Sequence, residues 1–286
     1  MIKISNKRLS VIINKQGAEL QSIQLDGLEY LWQADPKYWA KHSPVLFPII
    51  GELKNGKYFY DDQEYKLSRH GFARDKLFVA EKITADAVTL SLQSDQETLS
   101  VYPFKFVFSL QYEIKNNELS CTYIVENIDD KEMYFSAGGH PAFRVPLDEK
   151  LLYNDYKLNF NKEDNLKRYV LHSGLTGDET ETIHLEKKEL QLSPSLFYED
   201  AIVLKHINSN KIRLYSEKDP HGLSFNFKGF PYFGIWASKD APFVCLEPWC
   251  GIADNIHHDH QLVNKEGINR LNAGEKWRRK WAVELF

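Results

Sequence analysis

The chain has 286 residues, of which 43% are hydrophobic and 27% charged, the balance of a soluble globular protein rather than a disordered one. Its formal charge of −4 supplies no electrostatic pull toward nucleic acid or an anionic membrane, so neither is expected as a partner. The opening MIKISNKRLS lacks an apolar run, no stretch reaches the roughly 18 apolar residues of a membrane span, and Cys121, Cys245 and Cys250 form no CxxC motif; reduced thiols and a cytoplasmic location are expected.

Taken in chain order, the predicted elements are those of a β protein. A hairpin is expected at Asp26-Gly27, between Leu20–Leu25 and Tyr30–Trp32, and another at Asp61-Asp62, between Tyr58–Tyr60 and Tyr65–Leu67. Phe104, Phe106, Phe108, Leu110, Tyr112 and Ile114 alternate with mostly polar neighbours. After Lys115-Asn116-Asn117-Glu118 the alternation resumes at Leu119, Cys121, Tyr123 and Val125, which reads as a long hairpin with one buried face. The polar stretch 161–188 resembles a linker, but Leu166, Tyr169, Val170, Leu171, Ile183 and Leu185 argue for strands and a long loop. Trp281, Val283 and Leu285 on one face and Lys280 and Glu284 on the other mark a closing strand. Helical signals are short: Pro36–Lys41, a turn near Gln96–Val101, and Pro194–Tyr198. There is no internal repeat. Many short strands punctuated by turns indicate an all-β sandwich, read as a single domain over residues 1–286. The 17 Phe, 15 Tyr and 6 Trp suit its pleated, half-buried surfaces, and most belong to the core.

Four segments crowd polar, Gly or Pro residues against strands: Ser43–Gly51 (SPVLFPIIG), His70–Asp75 (HGFARD), Gly138–Phe143 (GGHPAF) and Cys245–Gly251 (CLEPWCG). In Gly138-Gly139-His140-Pro141 the glycines permit unusual dihedrals or close backbone approach, and the proline fixes the exit. A histidine held there suits proton transfer, its ordinary pKa of about 6.5 being near neutrality, and equally suits binding turn carbonyls. Glu247 ends an apolar run beside Pro248-Trp249, where partial desolvation raises a carboxylate's basicity; a structural ion pair is the alternative. His70 and Arg74 are placed to orient hydroxyls or hold an anion, although Arg74 has Asp75 and Glu52 as nearby partners. His257-His258-Asp259-His260 has the composition of a metal cluster without its spacing, and a solvated loop is the expected reading.

Together PVLFPIIG, HGFAR, GGHPAF, and GIW followed by FVCLEPWCGIAD resemble, in order and spacing, the aldose 1-epimerase superfamily, and most closely its LacX-like branch. The resemblance runs from Gly17-Ala18-Glu19-Leu20 to the closing strand. It implies the large antiparallel β-sandwich of galactose mutarotases with a few short helices, an open cleft on one concave sheet, and no metal or organic cofactor. It also implies a hexose or hexose phosphate as small-molecule partner, in a monomer or homodimer. Carried over by motif, His140 is similar to the family's general acid and Glu247 to its general base. His70 matches the second sugar-contacting histidine, and Arg74 an arginine that binds phosphate in the hexose-6-phosphate branch. Asp200 matches, more loosely, an aspartate that binds sugar hydroxyls, and Trp236 a cleft aromatic. Glu52 stands near a position where galactose mutarotases carry arginine, which argues against borrowing galactose specificity and against a phosphate at that end.

The expected activity is therefore interconversion of the α and β anomers of a hexose by acid–base ring opening and closure. A hexose-6-phosphate mutarotase and a non-catalytic carbohydrate-binding or sensing protein are the alternatives. A glycosidase ranks below them, because no second carboxylate sits in a comparably placed motif.

Overall fold

The computed structural model describes residues 1–286, apart from the side chain of Lys82. Strands dominate and every named ladder is antiparallel. The long hairpin forms as the alternation requires: Phe106–Lys115 pairs with Glu118–Asn127, and Phe106, Phe108, Leu110, Tyr112 and Ile114 are buried. The turns at Asp26-Gly27 and Asp61-Asp62 hold both residues at positive φ, the geometry that lets two-residue turns follow the right-handed twist of a hairpin. The closing strand, Lys276–Leu285, pairs with Glu118–Asn127 and buries Trp281, Val283 and Leu285.

Nine strands make one sheet, in the order Glu189–Gln191, Lys157–Phe160, Lys211–Ser216, Asp219–Asn226, Lys276–Leu285, Glu118–Asn127, Phe106–Lys115, Ala87–Gln93 and Val79–Ile83. The facing sheet runs Leu175–His184, Asn165–His172, Ile202–Lys205, Tyr232–Trp236, Phe243–Cys250, Ala137–Gly139 and Val45–Leu46, with Ala142–Arg144 also pairing to Phe243–Cys250. Aromatics bridge the two. Phe225 of the first sheet meets Phe233 of the second at 6.1 Å, and Phe47 stacks on Phe108 at 4.3 Å. The large antiparallel β-sandwich expected from the sequence is the observed fold.

Two local readings need correction. Residues 161–188 contain no long loop: Asn165–His172 and Leu175–His184 form a hairpin turned at Ser173-Gly174, both at positive φ. Most of the second strand is exposed on both faces, so burial left little alternation to read there. Pro36–Lys41 forms turns rather than a helix, with Tyr38 and Trp39 both bonded to the Asp35 carbonyl. Gln96–Val101 is a short α-helix, closed at its start by the reciprocal bonds of Asp95 and Thr98, and Pro194–Phe197 is a single tight turn of 3₁₀ helix.

The facing sheet has two functional sides. Ile202, Leu204, Phe233 and Ile235 enter the main core, whereas Ala201, Val203, Tyr232 and Trp249 join a smaller apolar cluster on the opposite side. Period-two alternation thus turns one side of these strands inward and leaves the other to line a cleft.

Candidate active site

The cleft has a volume of about 330 Å³, within the usual range for small-molecule sites, roughly 300–1,000 Å³. All six residues singled out from the sequence, His70, Arg74, His140, Asp200, Trp236 and Glu247, lie on its lining. Trp249, from the CLEPWCG segment, joins them there with Trp39, Lys41, Arg69 and Thr176, four residues that the sequence did not mark.

Glu247 projects from the middle of Phe243–Cys250, directly opposite Gly234 on the neighbouring strand. Gly234 has no side chain because the ring of Trp249 occupies that space; an added Cβ would lie 2.5 Å from it. His140 leaves the end of Ala137–Gly139, its own amide donating to the Pro44 carbonyl at 3.1 Å. The preceding Gly139 serves close approach rather than unusual dihedrals, since a Cβ there would stand 2.3 Å from the buried Tyr123 hydroxyl.

These two strands bring His140 Nε2 to 3.3 Å from Glu247 Oε2, with 12% and 2% of the respective side chains exposed. The distance is short but the alignment is not that of a hydrogen bond: Glu247 Oε2 and His140 Nδ1 are both buried without a protein partner. Burial raises the Glu247 carboxyl well above its ordinary value. Burial, helped by the charges of Arg74, Arg69 and Lys41, lowers the His140 imidazolium to about 3. Both shifts favour the uncharged forms, a carboxylic acid beside a neutral imidazole, in two groups left without protein partners. Groups tuned apart in this way mark acid–base sites more often than structural ones.

His70 stands at the next corner, its ring edge-on to His140 with centroids 6.0 Å apart. It sits at positive φ, and Gly71 beside it has no room for a side chain, because a Cβ would come within 2.4 Å of the Phe47 carbonyl. His70 Nδ1 accepts the Gly51 amide at 3.1 Å, which leaves Nε2 as the protonated, donating nitrogen. Burial, with His140, Arg74 and Arg69 nearby, holds this histidine neutral well below its usual range.

The cations are tied to their surroundings in different ways. Arg74 Nη2 donates to the Arg69 carbonyl at 2.8 Å and its Nε lies 3.7 Å from Asp75, where it is buried with no hydrogen-bond partner. Glu52 is not on the lining; it pairs instead with Arg69, Nε to Oε1 3.2 Å. The carboxylate that interrupts the family pattern is thus engaged by an arginine that the sequence reading passed over. Asp200 accepts the Ala201 amide at 2.7 Å through Oδ1, and its carbonyl accepts Arg168 Nη2.

His257, His258, Asp259 and His260 do not gather into one ligand set. His257 and Asp259 are exposed, His258 lies between Asp254 and Asp259, and His260 packs edge-on to Phe59. Among the described residues, the group spaced for a metal is His140, Cys245 and Glu247, whose ligand atoms fall within 4.8 Å of one another. Burial holds the Cys245 thiol well above its ordinary value, so it is protonated and a weak ligand as it stands.

The aldose 1-epimerase family model matches residues 1–284. The plasmid-encoded LacX protein of Lactococcus lactis subsp. lactis is 35% identical over an alignment of 281 residues, with 94% of this chain and 94% of that protein covered. A galactose mutarotase-related enzyme of Lactobacillus acidophilus superposes with a TM-score of 0.95 at 34% identity, covering 100% of this chain and 97% of the other. A galactose mutarotase-like protein of Lactobacillus casei gives a TM-score of 0.92 at 32% identity, with 100% of both chains covered.

Proposed function

The chain belongs to the aldose 1-epimerase family, and from that premise we propose that it interconverts the α and β anomers of a hexose, with His140 and Glu247 as the proton-transferring pair. Membership supports an isomerase acting on a sugar; the residues and the substrate are our reading. The observation that carries it is the buried, unsatisfied His140–Glu247 pair, 3.3 Å apart on the wall of a sugar-sized cleft.

In this mechanism the anomeric hydroxyl donates to Glu247 while the ring oxygen accepts from His140. Binding moves the shared proton from Glu247 to His140, which changes no net charge. Arg69 favours the carboxylate that results, since its positive charge draws the Glu247 value down. Glu247 then takes the hydroxyl proton as His140 protonates the ring oxygen, and the ring opens to the aldehyde. The pair has now returned to carboxylic acid and neutral imidazole, the form that burial favours, so the open-chain intermediate meets the enzyme in its most stable protonation state. Rotation about C1–C2 and reversal of the two transfers give the other anomer. Each positioned transfer contributes typically about 10²- to 10⁴-fold. His70 Nε2, Asp200 and Trp236 hold the sugar's remaining hydroxyls and face, and Arg74 the end distant from the anomeric carbon.

A second reading has its own support. Lys41, Arg69 and Arg74 all line the cleft, three cations that suit a hexose 6-phosphate. Anomer exchange measured by NMR on glucose, galactose and their 6-phosphates separates the two: saturation by free sugars favours the first, and by phosphorylated ones alone the second. A carbohydrate-binding protein without catalysis is the outcome if sugars bind and none is accelerated. We also read residues 1–286 as one functional domain, supported by the continuous core joining both large sheets. A cytoplasmic location is supported by three buried free thiols; no helix is long and apolar enough to cross a membrane.

A further inference from the structure

A histidine used in proton transfer is ordinarily oriented by a hydrogen bond to its second nitrogen. His140 has none: Nδ1 is buried and unpartnered. Its ring is instead boxed by aromatic groups. Trp39 stacks on one face with centroids 5.0 Å apart and planes at 29°. Trp236 meets it edge-on at 5.5 Å and 78°, and His70 at 6.0 Å and 90°.

Trp39 is itself held firmly. Its amide donates to the Asp35 carbonyl at 3.0 Å, and its carbonyl accepts the Trp32 indole at 2.9 Å. Its ring packs on Phe243 at 5.6 Å, on the strand that carries Glu247, and Phe243 packs on Trp32 at 4.9 Å. An aromatic wall thus runs from the core to the imidazole and shares a strand with the carboxylate.

We propose that Trp39 is the positioning residue for His140, fixing the imidazole by stacking where other sites use a hydrogen bond. The proposal rests on the acid–base reading above. Stacking constrains the ring plane while leaving both nitrogens free of a bond that would have to break. The imidazole therefore gains and loses its proton without reorganising its surroundings, which suits a reaction that runs both transfers in both directions. The tryptophan also shields the ring from water. The charged and titratable groups facing the ring are Glu247, Cys245, His70, Arg69, Arg74 and Lys41, with Asp200 acting on Glu247. None of them belongs to the wall, so opening the wall changes hydration and leaves these charges in place.

The test replaces Trp39 by Phe, Leu and Ala in the full chain and reads two quantities. The first is the kcat and KM of anomer exchange with pH. Trp39→Leu and Trp39→Ala should lose at least about tenfold in kcat, as displaced acid–base groups do, with KM little changed. Their acid limb should move to higher pH as water reaches His140, and Trp39→Phe should keep most of the rate. The second is the titration of His140 followed by NMR of nitrogen-labelled histidine, which needs no turnover. It should move to higher pH in the Leu and Ala variants and stay near wild type in the Phe variant. A raised KM with unchanged kcat would make Trp39 a sugar platform and overturn the proposal, as would an unmoved His140 titration. If wild type accelerates no sugar, the catalytic reading fails, and the titration alone then decides whether the stacking governs the imidazole. If the Ala variant does not fold, the Leu and Phe pair supplies the same comparison.

Discussion

Two of the buried acid–base pairs among the described residues have different surroundings. Asp254 and Lys265 meet at 2.6 Å with neither side chain exposed. Asp254 Oδ2 also accepts the Lys54 amide at 2.9 Å. Its carbonyl accepts Thr176 and its amide donates to the Glu52 carbonyl. His140 and Glu247 are almost as deeply buried, stand 3.3 Å apart, and leave a carboxylate oxygen and a ring nitrogen without partners. The first pair spends its hydrogen-bonding capacity on the fold, joining residues 52–54, 176 and 254. The second leaves a carboxylate oxygen and a ring nitrogen unused by the protein, which supports the proposed role in binding a ligand. Burial alone does not distinguish structure from chemistry; satisfaction does.

Deletion separates the two pairs most sharply. His140→Ala and Glu247→Ala should each slow anomer exchange by about 10²- to 10⁴-fold while the protein stays folded by circular dichroism. Lys265→Ala should act the other way round: it strands Asp254 in the interior and lowers stability by about 3–5 kcal/mol in denaturant titrations. Equal loss of stability from all three would erase the distinction.

A smaller effect concerns stability and pH. The Glu247 value is raised above that of the unfolded chain by burial, so the fold loses stability as pH rises from the ordinary carboxyl range through the raised value. Glu247→Gln removes that loss. It should leave the protein more stable at neutral pH by on the order of 1 kcal/mol, although inactive, and no different in strong acid. Reduced stability at neutral pH would mean the carboxyl is satisfied in solution. The smallest effect is expected at the rim, where Glu52 and Arg69 are partly exposed. Glu52→Gln frees Arg69 and should tighten binding of a hexose 6-phosphate by no more than about fivefold, because exposed ion pairs are worth less than about 1 kcal/mol. Unchanged affinity would place the phosphate elsewhere.

The two pairs were also unequally legible. Glu247 and His140 sit where apolar runs of sequence give way to Gly, Pro and charge, a local signal that needs no partner to be seen, although at Glu247 the strand itself continues to Cys250. The strands themselves were readable wherever one face is buried, as at Phe106, Phe108, Leu110, Tyr112 and Ile114. Trp39 gave no such signal: it lies in turns between Leu28–Glu29 and Val45–Leu46, and its contact with His140 spans a hundred residues of chain. Arg69 stood beside the HGFAR segment, but only the fold shows that Glu52 engages it. Lys41, Thr176 and Trp249 reach the cleft from separate loops and strands, so their convergence is a property of sheet order, which alternation within each strand does not specify. Lys265 reads as a surface lysine by composition, and its burial follows from Asp254 arriving opposite it.

We propose that His140 and Glu247 act as one unit sharing one proton. Anomer exchange rates for His140→Ala, Glu247→Gln and the double variant, on the best substrate of the panel, test it directly. A double variant no slower than the slower single variant is the expected result, since removing either member disables the pair. Losses that multiply in the double variant would contradict it, showing two groups that contribute independently rather than a proton-sharing pair.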